Sequence, residues 1–202
     1  QPVAVPLRQG LIQNLFTTPD GQLWVGASNG LFCVDHSTQQ VTEVAALREI
    51  SVNSMVKQGG YWLVCTNKGL FLLNTKTRQA EGPVYVQLEG KSQTVDYVRR
   101  SFSASNGITW FTSNTRKIYT SDALKERFRH APIDLMEPMK IPAAFSELFE
   151  YSPGVLLIPR AEGASLFDIY TGKITPFPYK PPYNRQGWDK GVVCFLEEAD
   201  GQ

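Results

Sequence analysis

Asp20-Gly21-Gln22-Leu23-Trp24-Val25-Gly26, followed by Ser28-Asn29-Gly30-Leu31-Phe32, decides the fold, because the pattern returns downstream. It recurs as Gly59-Gly60-Tyr61-Trp62-Leu63-Val64 followed by Asn67-Lys68-Gly69-Leu70-Phe71. A third copy, Asn106-Gly107-Ile108-Thr109-Trp110-Phe111, has Asn114-Thr115-Arg116 where the second glycine would stand. The fourth, Pro153-Gly154-Val155-Leu156-Leu157-Ile158, puts Leu157 in the tryptophan position and recovers the later glycine as Gly163. On this alignment Trp24, Trp62 and Trp110 share one repeat position, at intervals of 38 and 48 residues, with 47 more to Leu157. Each copy reads turn, apolar strand, turn, apolar strand. Four-stranded propeller blades repeat at about 40–50 residues, and the 3.6-residue apolar spacing of helical repeats is missing.

Working outward, each turn is preceded by an apolar segment: Ile12, Leu15 and Phe16; Val52, Met55 and Val56; Val98 and Phe102; Phe145, Leu148 and Phe149. These are read as the innermost strands, each ending in a turn whose glycine supplies the positive φ of a tight hairpin. After the third strand come polar turns, His36-Ser37-Thr38-Gln39-Gln40, Asn74-Thr75-Lys76-Thr77 and Asp168-Ile169-Tyr170-Thr171-Gly172-Lys173, and then a short strand such as Val41 to Val44 or Ile174 to Phe177. The expected fold is all-β: four four-stranded antiparallel propeller blades over approximately 8–46, 47–92, 93–138 and 139–180. Val192, Phe195, Leu196 and Glu197-Glu198-Ala199-Asp200-Gly201-Gln202 repeat the run from Ile12 to Gln22, so 181–202 reads as a loop and the first strand of a further blade. Four blades and one strand do not close a ring, and a fragment of a larger propeller is expected. Open edges at Val3 to Leu7 and Val192 to Leu196 predict pairing with a second copy, a homodimer.

The 202 residues are 42% apolar and 19% charged, with 20 Lys+Arg against 19 Asp+Glu. So balanced a charge offers nucleic acid or an anionic membrane no field to bind. Cys33, Cys65 and Cys194 lie far apart, and with only His36 and His130 they cannot make a zinc site by spacing, so no metal and no cofactor is expected. They read as small hydrophobes within strands, a Cys33–Cys65 bridge being the minor alternative. No apolar run reaches the roughly 18 residues of a membrane span, so a membrane would be met only through parent segments outside this chain.

The pattern apolar-x-x-apolar-apolar, then Asp-Gly-x-Leu-Trp-Val-Gly, then Asn-Gly-Leu, resembles the two-component regulator propeller repeat, found in extracytoplasmic sensor halves of hybrid two-component systems of polysaccharide-degrading bacteria. The resemblance covers nearly the whole chain and is closest over Ile12 to Leu31, with departures at Arg116 and Leu157. It implies a periplasmic ligand-sensing propeller of a membrane-bound sensor histidine kinase, with an oligosaccharide as ligand and no catalysis in this part. A propeller lyase is the alternative of another class, but it needs a histidine and acid cluster that His36, in an outer turn, and His130, in a basic stretch, cannot supply. A scaffold propeller binding protein partners is the third.

Among candidate sites, the tryptophans suit packing between blades better than sugar stacking. The acid pairs Glu147/Glu150 and Glu197/Glu198 have no spacing that sets a catalytic separation, and read as strand ends or solvated faces. Asn29, Asn67, Lys68, Asn114, Arg116, Arg160 and Glu162 are the exposed polar groups of the turns between second and third strands. The connection 177–190 is longer than a hairpin needs and aromatic-rich; Tyr179, Tyr183 and Trp188 with Asn184 and Arg185 have the composition of a sugar-stacking loop, the alternative being a proline-rich strap whose aromatics pack onto the blade edge. In a propeller these two kinds of loop emerge on one face. The ligand-binding set is therefore Asn67, Lys68, Asn114, Arg116, Tyr183, Asn184, Arg185 and Trp188, with no catalytic residue.

Overall fold

The structure, a computed structural model, describes residues 10–35, 37–88, 91–95, 97–114, 117–122, 127–134, 149–160 and 163–178. Four four-stranded antiparallel sheets follow one another along the chain, each with its strands in sequence order. The first holds β1 (Ile12–Thr17), β2 (Leu23–Ala27), β3 (Gly30–Val34) and β4 (Val41–Glu43). The second holds β5 (Val52–Gln58), β6 (Tyr61–Thr66), β7 (Gly69–Asn74) and β8 (Gln79–Glu81). A two-stranded hairpin, β9 (Tyr85–Leu88) and β10 (Lys91–Thr94), comes next; the repeat carried no signal for it. The third sheet is β11 (Val98–Ser103), β12 (Ile108–Ser113), β13 (Lys117–Asp122) and β14 (Arg127–Asp134). The fourth is β15 (Phe149–Ser152), β16 (Val155–Arg160), β17 (Gly163–Asp168) and β18 (Ile174–Pro176). Phe145 and Leu148 lie outside the described residues.

In the first three sheets the first strands lie innermost, because β1 packs on β5 and β5 on β11. Polar bonds tie the second of these seams: Asn53 Nδ2 donates to Val98 O at 2.8 Å, and the hydroxyls of Ser54 and Ser101 meet at 2.8 Å. The glycine turns behave as their residues demand, with φ of +79° at Gly21, +56° at Gly59, +80° at Gly107 and +80° at Gly154. At the outer turns Asp35, Asn74 and Asp168 play one role. Each side-chain oxygen accepts backbone N–H groups two and three residues on, and the chain turns left-handed four residues on, at Gln39, Arg78 and Gly172.

The register corrects the tryptophan alignment. Phe16 pairs with Trp24, Phe102 with Trp110 and Phe149 with Leu157, but in the second sheet the equivalent pair is Val56 with Leu63. Trp62 stands opposite Lys57, one residue off, and alternation along a strand turns it to the other face. Leu63 is fully buried with Leu70, Val98 and Phe111 between the second and third sheets, whereas Trp62 is half-buried against the cluster shared with the first sheet. Trp24 and Trp110 do sit between sheets as expected: Trp24 with Val52, Met55, Val64 and Phe71, and Trp110 with Leu156, Ile158 and Phe167. The Trp110 and Phe167 rings meet edge to face at 6.4 Å. Cys33 and Cys65 are buried free thiols in two different clusters, so no bridge joins them.

Candidate functional site

One end of the sheets is built by a repeated backbone clamp. In the first three sheets the residue after the second strand donates its N–H to the carbonyl of the segment entering the first strand: Ser28 to Leu11 at 2.8 Å, Asn67 to Ser51 at 3.1 Å, Asn114 to Tyr97 at 2.9 Å. The turns between second and third strands therefore lie beside the connections that enter each sheet, on one face, as a propeller requires.

The clamp uses some of the candidate side chains. Asn67 Oδ1 accepts the Ser51 N–H at 3.0 Å, as Ser28 Oγ accepts that of Leu11 at 2.8 Å. Asn67 thus serves the turn's own backbone. Lys68 is exposed at the tip, where Thr66 Oγ1 takes its amide N–H at 3.0 Å. The following residue must be glycine. Gly69 has φ +108°, and a Cβ there would lie 3.0 Å from Val95 O, which presses this turn against the strand end leading to Tyr97.

Asn114 differs from its counterparts. Its Oδ1 is turned to Arg99, accepting Nη2–H at 2.9 Å and Nε–H at 3.3 Å. The Arg99 guanidinium lies 5.0 Å from the centre of the Tyr97 ring. Tyr97 itself holds φ +47°, left-handed for a non-glycine residue. Next to them Arg100 Nη1 donates to Asn53 O across the seam at 2.8 Å. Of the expected set the structure thus gathers Asn67, Lys68 and Asn114 on one face; Arg116, Tyr183, Asn184, Arg185 and Trp188 lie outside the described residues, as does Glu162. Tyr97, Arg99 and Arg100 were not singled out from the sequence. Their signal was Tyr97-Val98-Arg99-Arg100 at the entry to a first strand, a stretch held in the first two sheets by the uncharged Leu11-Ile12-Gln13-Asn14 and Ser51-Val52-Asn53-Ser54.

The opposite end holds an open groove of about 460 Å³ between the hairpin turns of the second and third sheets, lined among others by Val56, Gln58, Gly59, Trp62, Gly107 and Thr109. Among the described residues no group of three or more His, Cys, Asp and Glu side chains converges as a metal site, and no helix is long and apolar enough to cross a membrane. Glu150, weighed above as an acid, spends its carboxylate on backbone donors of two turns.

No family model matches the sequence, and no curated protein does. Solved structures do match. The extracellular domain assigned to the hybrid two-component system BT3049 of B. thetaiotaomicron is 18% identical, with TM-score 0.70, over 98% of this chain and 28% of that one. That assigned to BT4673 of the same organism is 14% identical, with TM-score 0.66, over 92% and 24%. The Cps50 (Swd1) β-propeller domain of Myceliophteria thermophila is 12% identical, with TM-score 0.56, over 78% and 56%. The chain spans about a quarter of the two bacterial domains. At such identities the likeness carries the fold, and the fold is that of β-propeller blades.

Proposed function

We propose that this chain is part of the extracytoplasmic, periplasmic ligand-sensing propeller of a two-component sensor kinase, that it recognises an oligosaccharide, and that it is not itself catalytic. The observation that carries the reading is the match over 98% of the chain to an extracellular domain assigned to a hybrid two-component system. The face with Asn67, Lys68, Asn114, Tyr97 and Arg99 supports it, offering amide, cation and aromatic groups of the kind that meet sugar hydroxyls and ring faces. Arg116, Tyr183, Asn184, Arg185 and Trp188 are proposed to extend this face. Calorimetric titration with a panel of neutral and acidic oligosaccharides is the test. Saturable binding, weakened at least about tenfold by Trp188→Ala with Arg185→Ala at unchanged thermal midpoint, supports the reading; no binding across the panel defeats it.

We also propose that the chain self-associates. Leu11, Ile12 and Leu15 are exposed on the first sheet, where the counterparts of Ile12 and Leu15 in the second sheet, Val52 and Met55, are buried. Sedimentation that shows a monomer at every concentration counts against it.

A further inference from the structure

Arg99 occupies a backbone irregularity. Val98 pairs with Ser113 and Arg100 with Thr112, so Arg99 is the extra residue of a β-bulge, a device that re-aims a side chain out of the ladder. The same shift occurs in the first two sheets, between Ile12 and Asn14 and between Val52 and Ser54, where the extra residues are Gln13 and Asn53. Asn53 uses the position structurally, bonding Val98 O. In the third sheet the position carries a cation.

That cation is oriented by two neighbours and meets no counter-charge among the described residues. Asn114 Oδ1 takes Nε–H and one Nη2–H, and the Tyr97 ring lies against the guanidinium. A guanidinium has five N–H donors, so the rest of the fork, Nη1 included, has no protein acceptor among the described residues. No carboxylate pairs with Arg99 among them either. A neutral amide orients the group without quenching its charge, and Tyr97, at φ +47°, sets its ring beside it. Lys68, exposed on the turn pressed against Val95, adds a second positive charge to the same face. A planar fork held in one orientation suits a two-oxygen anion.

We propose that Arg99, positioned by Tyr97 and Asn114, is an anion-binding residue, and that the oligosaccharide this face receives is acidic, bearing a carboxylate or a sulfate. The inference rests on the oligosaccharide-sensing reading above and specifies its ligand class.

The test titrates the full chain with three probes: trigalacturonate, a sulfated chondroitin disaccharide and neutral cellotriose. Trigalacturonate carries carboxylates alone and the chondroitin disaccharide a carboxylate and a sulfate, so binding of the second only assigns sulfate, and binding of the first shows that a carboxylate suffices. At least one acidic probe should bind ten or more times more tightly than cellotriose, with affinity falling as salt rises. Arg99→Gln should erase that preference, Arg99→Lys should restore only part of it, and neither should move the thermal midpoint. In parallel, the Arg99 Nε–Hε NMR resonance is followed during titration with inorganic sulfate and should shift saturably. Equal binding of acidic and neutral probes, or acidic binding undiminished in Arg99→Gln, overturns the inference and leaves oligosaccharide sensing standing. Failure of all three sugars together with a sulfate-induced shift at Arg99 defeats the oligosaccharide reading and keeps the anion site; failure of both defeats both.

Discussion

Glu150 holds Ser105 across the seam between the third and fourth sheets, its Oε2 accepting the Ser105 amide at 2.6 Å and its Oε1 the Ser105 hydroxyl at 3.0 Å. Oε1 also accepts the Gly154 amide at 3.1 Å, so turns from two neighbouring sheets share one carboxylate. Burial pushes its pKa up, but the donors from Ser105 and Gly154 outweigh burial and hold it below the usual glutamate value. The folded pKa is the lower one, so this contribution is fully present above the ordinary glutamate value and disappears as pH falls through the folded value. Glu150→Ala should cost about 1–2 kcal/mol near neutral pH, and progressively less as pH falls below the ordinary glutamate value and through the folded one. Melting both proteins across that range checks it; a cost that does not shrink in acid refutes the latch.

Trp24 and Trp110 should tolerate phenylalanine far better than alanine. Their indole N–H groups are buried with no partner among the described residues, so phenylalanine removes volume without breaking a hydrogen bond. Leu63 and Leu157, at the same repeat position, show that the site asks for apolar bulk. Trp24→Phe is expected to cost about 1–2 kcal/mol and Trp24→Ala about 3–5 kcal/mol in denaturant unfolding.

Asp35 should titrate abnormally low. The Ser37 hydroxyl, with the Thr38 and Ser37 amides, holds its pKa down to about 2. The turn's carboxylate bonds are thus retained well below the ordinary aspartate value and lost only as pH approaches about 2. Carboxyl NMR titration reads this directly, and Ser37→Ala should move the midpoint upward. Asp168, held low chiefly by the Thr171 amide, should shift in the same direction without any serine.

Cys65 should be inert in the native protein. Burial pushes its thiol up to about 12, so almost no thiolate is present at neutral pH. Burial raises Cys33 as well. Peptide mapping after alkylation should find both unmodified until denaturant is added; fast native labelling at Cys65 would mean that the second seam opens locally.

Much of this architecture could be read from spacing alone. Glycine turns, apolar pairs and polar outer turns are local chemistry, and four sheets follow from their recurrence. Trp62 stands one residue before the position its size suggests. Counting back from Gly69, as Gly30 stands to Trp24, lands on Leu63, and the strand's alternation then sends the indole to the other face. The hairpin β9–β10 had no repeat to betray it. Arg99 was invisible for a different reason: a bulge is a property of pairing between two strands, and no single strand's pattern records which residue will be squeezed out of register. Asn67 and Asn114 look alike in sequence, yet one is consumed by the Ser51 amide and the other by a guanidinium.

The seams have a further property, which is direction. Trp24, Leu31 and Cys33 meet Val52, Val64 and Phe71; Leu63 and Leu70 meet Val98, Phe111 and Tyr119. By register the first members of each meeting are equivalent to one another, and so are the second, so every sheet is a plug on one side and a socket on the other. Such a stack is head-to-tail, like the joint of a filament, and its symmetry is rotational rather than mirror-like. Placing two plugs or two sockets together would oppose surfaces never shaped for each other. The order of the sheets is therefore written into their faces as well as into the chain, and a sheet moved elsewhere in the sequence would still accept neighbours in only one sense of rotation.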